Sequence, residues 1–216
     1  MEIPVIEQSR WERRAWFLAW FTVIYNLLEG AVSIGFGVSD DSVALWGFGF
    51  DSLIEVASAM VVMARLRKGF KALGTEAERR AVLAIGALFV LLALVIQLGA
   101  IWQLVSRHHP PTTVPGLVIS SLSLAFMFYL WRAKTRAASA LDSAALKSDA
   151  ACSLACIQLS LVLFVGSLIF LLSPGLWWLD GAAAILLALL ILKEGAEGIR
   201  AARSPGFTGG CGCGHD

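Results

Sequence analysis

From Ala81 to Ser106 the chain carries no charged side chain, and the stretch is almost continuous Leu, Val, Ile and Ala. A bilayer core about 30 Å thick is crossed by roughly 20 apolar residues in helical form, so this run excludes an ordinary amphipathic surface helix and predicts a membrane span. By the same ruler the chain offers six spans, near 15–38, 42–64, 81–105, 115–131, 148–172 and 177–192. Composition agrees, since 58% of the 216 residues are apolar, against roughly 45–50% in soluble domains. The fold class expected is an all-α membrane protein, a six-transmembrane-helix bundle embedded in lipid. The connections carry helix-stopping residues: Ser39, Asp40 and Asp41; Arg107 to Thr113 with Pro110 and Pro111; and Ser173, Pro174 and Gly175.

Orientation follows from the cations, because Lys and Arg of short loops are retained on the cytoplasmic side. Arg10, Arg13, Arg14, the run from Arg65 to Arg80, Arg132, Lys134, Arg136, Lys147, Lys193, Arg200 and Arg203 fall on one side, and Arg107 alone on the other. Both termini are therefore expected in the cytoplasm. Trp177 and Trp178 mark an outer boundary and Trp131 an inner one, where indole rings are at home. Residues 1–14 read as a cytoplasmic segment without the apolar core of a signal peptide, 15–200 as the six-helix domain, and 201–216 as a flexible, Gly-rich tail. A net charge of +1 leaves no basic field for nucleic acid, which is not an expected partner.

Ionisable groups inside a span are expensive and mark the places to look for function. Asp51 and Glu55 in the second span are spaced i and i+4, so both carboxylates share one helix face about 6 Å apart in height. No basic residue is expected at their depth, which leaves a bound cation or protonation to neutralise them. In the fifth span Cys152 and Cys156 repeat the spacing, with Asp149 three residues earlier on the same face. Taken alone, two such thiols are more often packing residues than ligands. Together with the carboxylates they make four donors, the number a tetrahedral zinc-like site takes. Asn26 and Glu29 share a face of the first span and serve either as a helix-to-helix hydrogen bond or as accessory positions along a cation path. Asp180 reads as the cap of its own, sixth helix. Gly35, Gly37, Gly47 and Gly49 form no dinucleotide fingerprint and read as helix-packing or helix-end positions.

These residues resemble the membrane domain of the cation diffusion facilitators. The second span reads Ser42-Val43-Ala44-Leu45 and then Asp51-x-x-x-Glu55, similar to that family's Asp-x-x-x-Asp; the fifth reads Asp149-x-x-Cys152-x-x-x-Cys156, similar to its Asp-x-x-His-x-x-x-Asp. Leu179-Asp180-Gly181 resembles the acidic start of the last helix. Glu replaces one Asp here, and sulfur replaces both ligands of the fifth span. The resemblance covers the transmembrane domain only, and the cytoplasmic domain that usually follows is missing from this sequence. Rise along the helices puts Glu55 about 20 Å, Cys156 about 24 Å and Cys152 about 30 Å from the outer ends of their spans, an offset that tilt or shifted boundaries must absorb.

The resemblance implies export of metal from the cytoplasm through Asp51, Glu55, Cys152 and Cys156, with Asn26, Glu29 and Asp149 as accessory positions. Sulfur donors favour Zn²⁺ or Cd²⁺ over Mg²⁺, Ca²⁺ or Mn²⁺. A thiol with an ordinary pKa near 8.5 must lose its proton to bind metal, which links metal leaving to protons entering and predicts a metal/proton antiporter. No cofactor is expected besides the transported ion. The partners expected are metal ions, protons, the lipid bilayer and a second copy in a homodimer, in the inner (plasma) membrane of a bacterium. Cys211, Cys213 and His215 in the tail are candidates for capturing soft metal, whereas His108 and His109, beside two prolines, read first as an ordinary turn. The alternative is a membrane-embedded metal sensor or partner-binding subunit that binds without transporting. Without a Ser/His/Asp set, a metalloprotease His pair or a phosphate loop, an enzyme is not expected.

Overall fold

A computed structural model of the chain describes residues 5–68, 76–106, 114–141, 144–173, 175–176 and 178–207. They form six helices and, among the described residues, no strand: α1 (Val5–Ser39), α2 (Val43–Lys68), α3 (Glu76–Val105), α4 (Val114–Ala140), α5 (Ala144–Leu172) and α6 (Leu179–Arg203). Five are long and apolar enough to cross a membrane. The sixth falls outside that set because Asp180, Lys193, Glu194 and Glu197 interrupt its apolar run. Much of the apolar surface faces outward, with Leu98 68% and Trp102 67% exposed on α3. In water that would be a liability; against acyl chains it is the expected outer face of a bundle.

Local signals set the helix ends. At the end of α1 the N–H of Ser42 donates to the carbonyl of Gly37 at 2.9 Å, and Asp41 takes φ 52° between them, a Schellman turn with an aspartate in the left-handed position usually held by glycine. Ser42 then caps α2, its Oγ accepting the N–H of Leu45 at 3.2 Å. Two buried hydroxyls turn back on their own helices: Thr22 donates to the carbonyl of Leu18 at 2.9 Å and Ser160 to that of Cys156 at 2.7 Å.

The helices pack as three principal pairs, α1 with α2, α3 with α6 and α4 with α5. Close approach requires glycine at two of these contacts. A Cβ on Gly49 would lie 2.8 Å from the Ile34 nitrogen, and one on Gly195 would lie 2.9 Å from the Gly86 carbonyl oxygen. Gly37 also meets backbone, that of Trp46, and Gly47 meets the Ile96 side chain, whereas Gly35 faces open space. Helix α2 is the hub, touching α1, α3, α5 and α6. The largest apolar core, with Phe48, Ile96, Leu187 and Ile191 at its centre, joins α2, α3, α5 and α6.

Cations gather at one end of this bundle. Arg67 at the end of α2 lies over the Trp16 ring of α1 at 5.3 Å, Arg79 at the start of α3 donates to the Ser204 carbonyl beyond α6, and Ala15, Val62, Ala138 and Leu146 bring the start of α1, the ends of α2 and α4 and the start of α5 into one cluster. Both described termini thus lie at the cation-rich end. Several boundaries move, among them the start of α3, now Glu76, and the end of α6, which runs to Arg203 instead of 192. Helix α1 begins at Val5 and is continuous with residues 5–14, and α4 runs nine residues past Trp131, so Arg132, Lys134 and Arg136 are helical where a loop was expected.

Candidate functional site

Asp51 and Glu55 occupy successive turns of α2 on the face turned toward α5, and both are almost wholly buried, 3% and 4% exposed. Helix α5 runs antiparallel to α2, its start packing near Val62. This register brings Cys156 to Asp51, where the Sγ donates to Oδ2 at 3.3 Å. Glu55 and Cys152 lie one turn nearer the cation-rich end on their own helices, and Cys152 is buried and forms no disulfide. The depth offset expected from span lengths is therefore taken up at the outer end, where α5 extends about 12 Å past the start of α2. Neither carboxylate oxygen of Glu55 has a hydrogen-bond partner. Among the described residues no three His, Cys, Asp or Glu side chains converge closely enough to hold a metal ion. The structure brings Asp51 and Cys156 together and leaves Glu55 and Cys152 in the same buried layer without closing a four-donor set.

The expectation that no basic residue reaches this depth is corrected by Lys134. Its Nζ lies 2.9 Å from Asp149 Oδ2 and donates to Ser153 Oγ at 3.0 Å, with the two charged side chains 1% and 4% exposed. Its charge also acts on Glu55 and Cys152. Asp149 is thus held in an ion pair between α4 and α5, beside the carboxylate–thiol layer. A signal for this was present: Ser120, Ser123, Met127 and Leu130 are spaced three or four apart along α4, and the next position on that buried stripe is Lys134. Positive-inside reasoning assigned the lysine to the surface and hid the stripe.

Glu29 extends the polar layer to α1. Its Oε1 accepts from Tyr25 Oη at 2.7 Å and its Oε2 from Ser52 Oγ at 3.1 Å, the residue next to Asp51. Asn26 turns back on its own helix, donating to the Thr22 carbonyl at 3.0 Å, and its Oδ1 is buried without a partner. Of the two, only Glu29 makes a helix-to-helix hydrogen bond. Ser160 and Ser123, at 2.8 Å, tie α5 to α4 one turn beyond Cys156.

Asp180 also differs from expectation. It is buried and accepts from Ser42 Oγ at 2.6 Å, Gln103 Nε2 at 3.0 Å and the backbone N–H groups of Val43 and Ala44. It therefore caps α2 rather than its own helix, whose N-cap position, Trp178, makes no side-chain cap bond. The first turn of α2 offers orphan N–H donors and a positive dipole end, and packing sets the carboxylate of α6 against it. Asp180 pins the outer end of the helix that carries Asp51 and Glu55. His108, His109, Trp177, Cys211, Cys213 and His215 lie outside the described residues.

With this geometry in place, the sequence profile of the cation efflux transmembrane domain matches residues 19–204. The chain belongs to the cation efflux family. A relative, transmembrane protein 163 of Xenopus laevis, is 24% identical over 191 residues, which cover 88% of this chain and 68% of the relative. This member of the cation efflux family is a multi-pass integral membrane protein and a cation transporter. One expectation is corrected by the match. The statement that the chain is no enzyme rested on missing catalytic motifs, and the cation efflux assignment replaces that bare exclusion with a positive class, transport.

Proposed function

We propose that the domain exports a thiophilic divalent cation, Zn²⁺ or Cd²⁺ in first place, through Asp51, Glu55, Cys152 and Cys156 between α2 and α5, in exchange for protons. One observation carries the reading. A thiol and a carboxylate meet at 3.3 Å in the interior of a membrane bundle, beside a second carboxylate whose two buried oxygens have no partner. Unpartnered buried oxygens are costly, and a cation entering the layer would satisfy them. The ligand types suit borderline-soft ions: sulfur disfavours Mg²⁺ and Mn²⁺, and two oxygens moderate the preference for Cu⁺ or Hg²⁺. Because a thiol ligand must be deprotonated, loading releases protons and unloading takes them up. Closing the four donors around one ion requires α2 and α5 to draw together by a small shift, the kind of helix movement through which a transporter alternates access.

Glu29, with Asn26 beside it, extends the layer on α1, and Asp149 with Lys134 borders it on the cation-rich side. In this scheme Cys211, Cys213 and His215 raise the local metal concentration at the cytoplasmic mouth. A homodimer built from membrane helices and a bacterial inner membrane complete the proposal on the family resemblance.

The test is metal-dependent proton movement in sealed proteoliposomes with Zn²⁺, Cd²⁺ and Mn²⁺, for the wild type and for Cys152→Ala/Cys156→Ala. Zn²⁺ and Cd²⁺ flux coupled to counter-moving protons, lost in the variant, is the expected result. Flux unchanged in the variant would reduce the thiols to packing residues, and metal binding without flux for any ion would point to a sensor.

A further inference from the structure

A groove of about 1040 Å³ runs between α1 and α4 at the cation-rich end of the bundle. Five arginines line it, Arg10, Arg13 and Arg14 from α1 and Arg132 and Arg136 from α4, and among the described residues no acidic side chain does. Toward the membrane the lining turns aromatic. Phe17 follows the arginines on α1, and Phe128 and Tyr129 precede them on α4; these rings are 66%, 50% and 60% exposed. The sequence order reverses because the two helices run in opposite directions, so both present guanidinium groups at the cytoplasmic rim and rings toward the bilayer. Arg14 is held with its guanidinium carbon 4.8 Å from the centre of the Trp11 ring. A second cavity of about 560 Å³ shares Trp11, Arg132 and Arg136 and adds Trp131, which widens the basic rim around the outside of α4.

We propose that this groove binds an anionic phospholipid, its phosphate held by the α1 and α4 arginines and its acyl chains laid along Phe17, Phe128 and Tyr129. Charge and shape argue for that occupant. A soluble anion would use the arginines and leave the apolar floor uncovered, whereas a zwitterionic lipid would cover the floor and bring no net charge to the rim. Basic pockets between spanning helices on the cytoplasmic side are suited to anionic head groups, and guanidinium pairs bind phosphate oxygens in bidentate geometry. The site bridges two helices, and Arg132 and Arg136 flank Lys134 on α4, so an occupied groove braces the helix that holds the buried ion pair. This reading is independent of the metal proposed for the interior.

The experiment uses the full chain in phosphatidylcholine vesicles doped with spin-labelled phosphatidylglycerol or spin-labelled phosphatidylcholine, with the immobilised fraction read by electron paramagnetic resonance. The wild type should prefer phosphatidylglycerol. Arg132→Gln/Arg136→Gln should lower that preference by about fivefold per arginine removed, and Arg10→Gln/Arg13→Gln, on the other helix, should do the same. Arg200→Gln/Arg203→Gln, exposed at the same end but outside the groove, should leave it unchanged. Equal losses in all three variants would show a diffuse basic surface and overturn the site. Displacement of the labelled lipid by inorganic phosphate would overturn it in favour of a soluble-anion site, as would a wild type with no preference between the two lipids.

Discussion

Lys134 and Asp149 form an ion pair at 2.9 Å across the α4–α5 contact, with almost no exposure to solvent. Removing one partner of a buried pair leaves an uncompensated charge and destabilises by about 3–5 kcal/mol. Lys134→Met should therefore lower the thermal midpoint of the detergent-purified protein sharply, and Lys134→Met/Asp149→Leu should recover most of the loss. A single variant as stable as the wild type would show that the pair contributes nothing to packing.

The Cys156–Asp51 contact makes Cys156 the thiol to substitute first. Cys156→Ala removes a donor that touches Asp51 and should abolish Zn²⁺ flux, whereas Cys156→Ser, which keeps a polar donor in place, should retain the fold while weakening Cd²⁺ more than Zn²⁺ because the softer ion depends more on sulfur. Competition flux assays with both ions measure this ratio. An unchanged ratio would mean that the thiol is not a ligand.

Loading that requires a deprotonated thiol makes metal affinity rise with pH, since protons compete for the same donor. Half-saturating Zn²⁺ for wild-type flux should fall as cytoplasmic-side pH is raised from about 6 to 8. Affinity that does not move across this range would argue against proton-coupled loading.

At the outer end, Asp180→Ala would leave Ser42, Gln103 and the first N–H groups of α2 without their shared acceptor. A loss of about 1–3 kcal/mol is expected, with Asp180→Asn milder because one carbonyl oxygen remains. Thermal unfolding in detergent, followed by tryptophan fluorescence, reads the difference. Equal midpoints for Ala and the wild type would show that the cap is dispensable.

Two glycines should respond in opposite directions. Gly195→Ala drives a methyl group to 2.9 Å from the Gly86 carbonyl oxygen, a backbone atom that cannot swing aside, and should destabilise by about 1–3 kcal/mol. Gly35→Ala meets nothing within 4 Å and should be neutral or stabilising by up to about 1 kcal/mol. Melting curves for the two variants that coincide would discount the close α3–α6 approach.

What the sequence determined by itself is what short-range physics controls. Uninterrupted apolar runs must satisfy their backbone within each segment when water is absent, so helices and their approximate ends were legible, as were the i, i+4 pairs on single faces. Asp51 and Glu55, and Cys152 and Cys156, could be picked out in this way. Which helix lies beside which, and at what height, depends on side chains far apart in sequence fitting one another. Packing alone set Cys156 level with Asp51, turned Lys134 inward to Asp149, and carried Asp180 across to the start of α2. Each outcome balances desolvation of a polar group against a partner supplied by another segment, and that balance exists only once the bundle has formed.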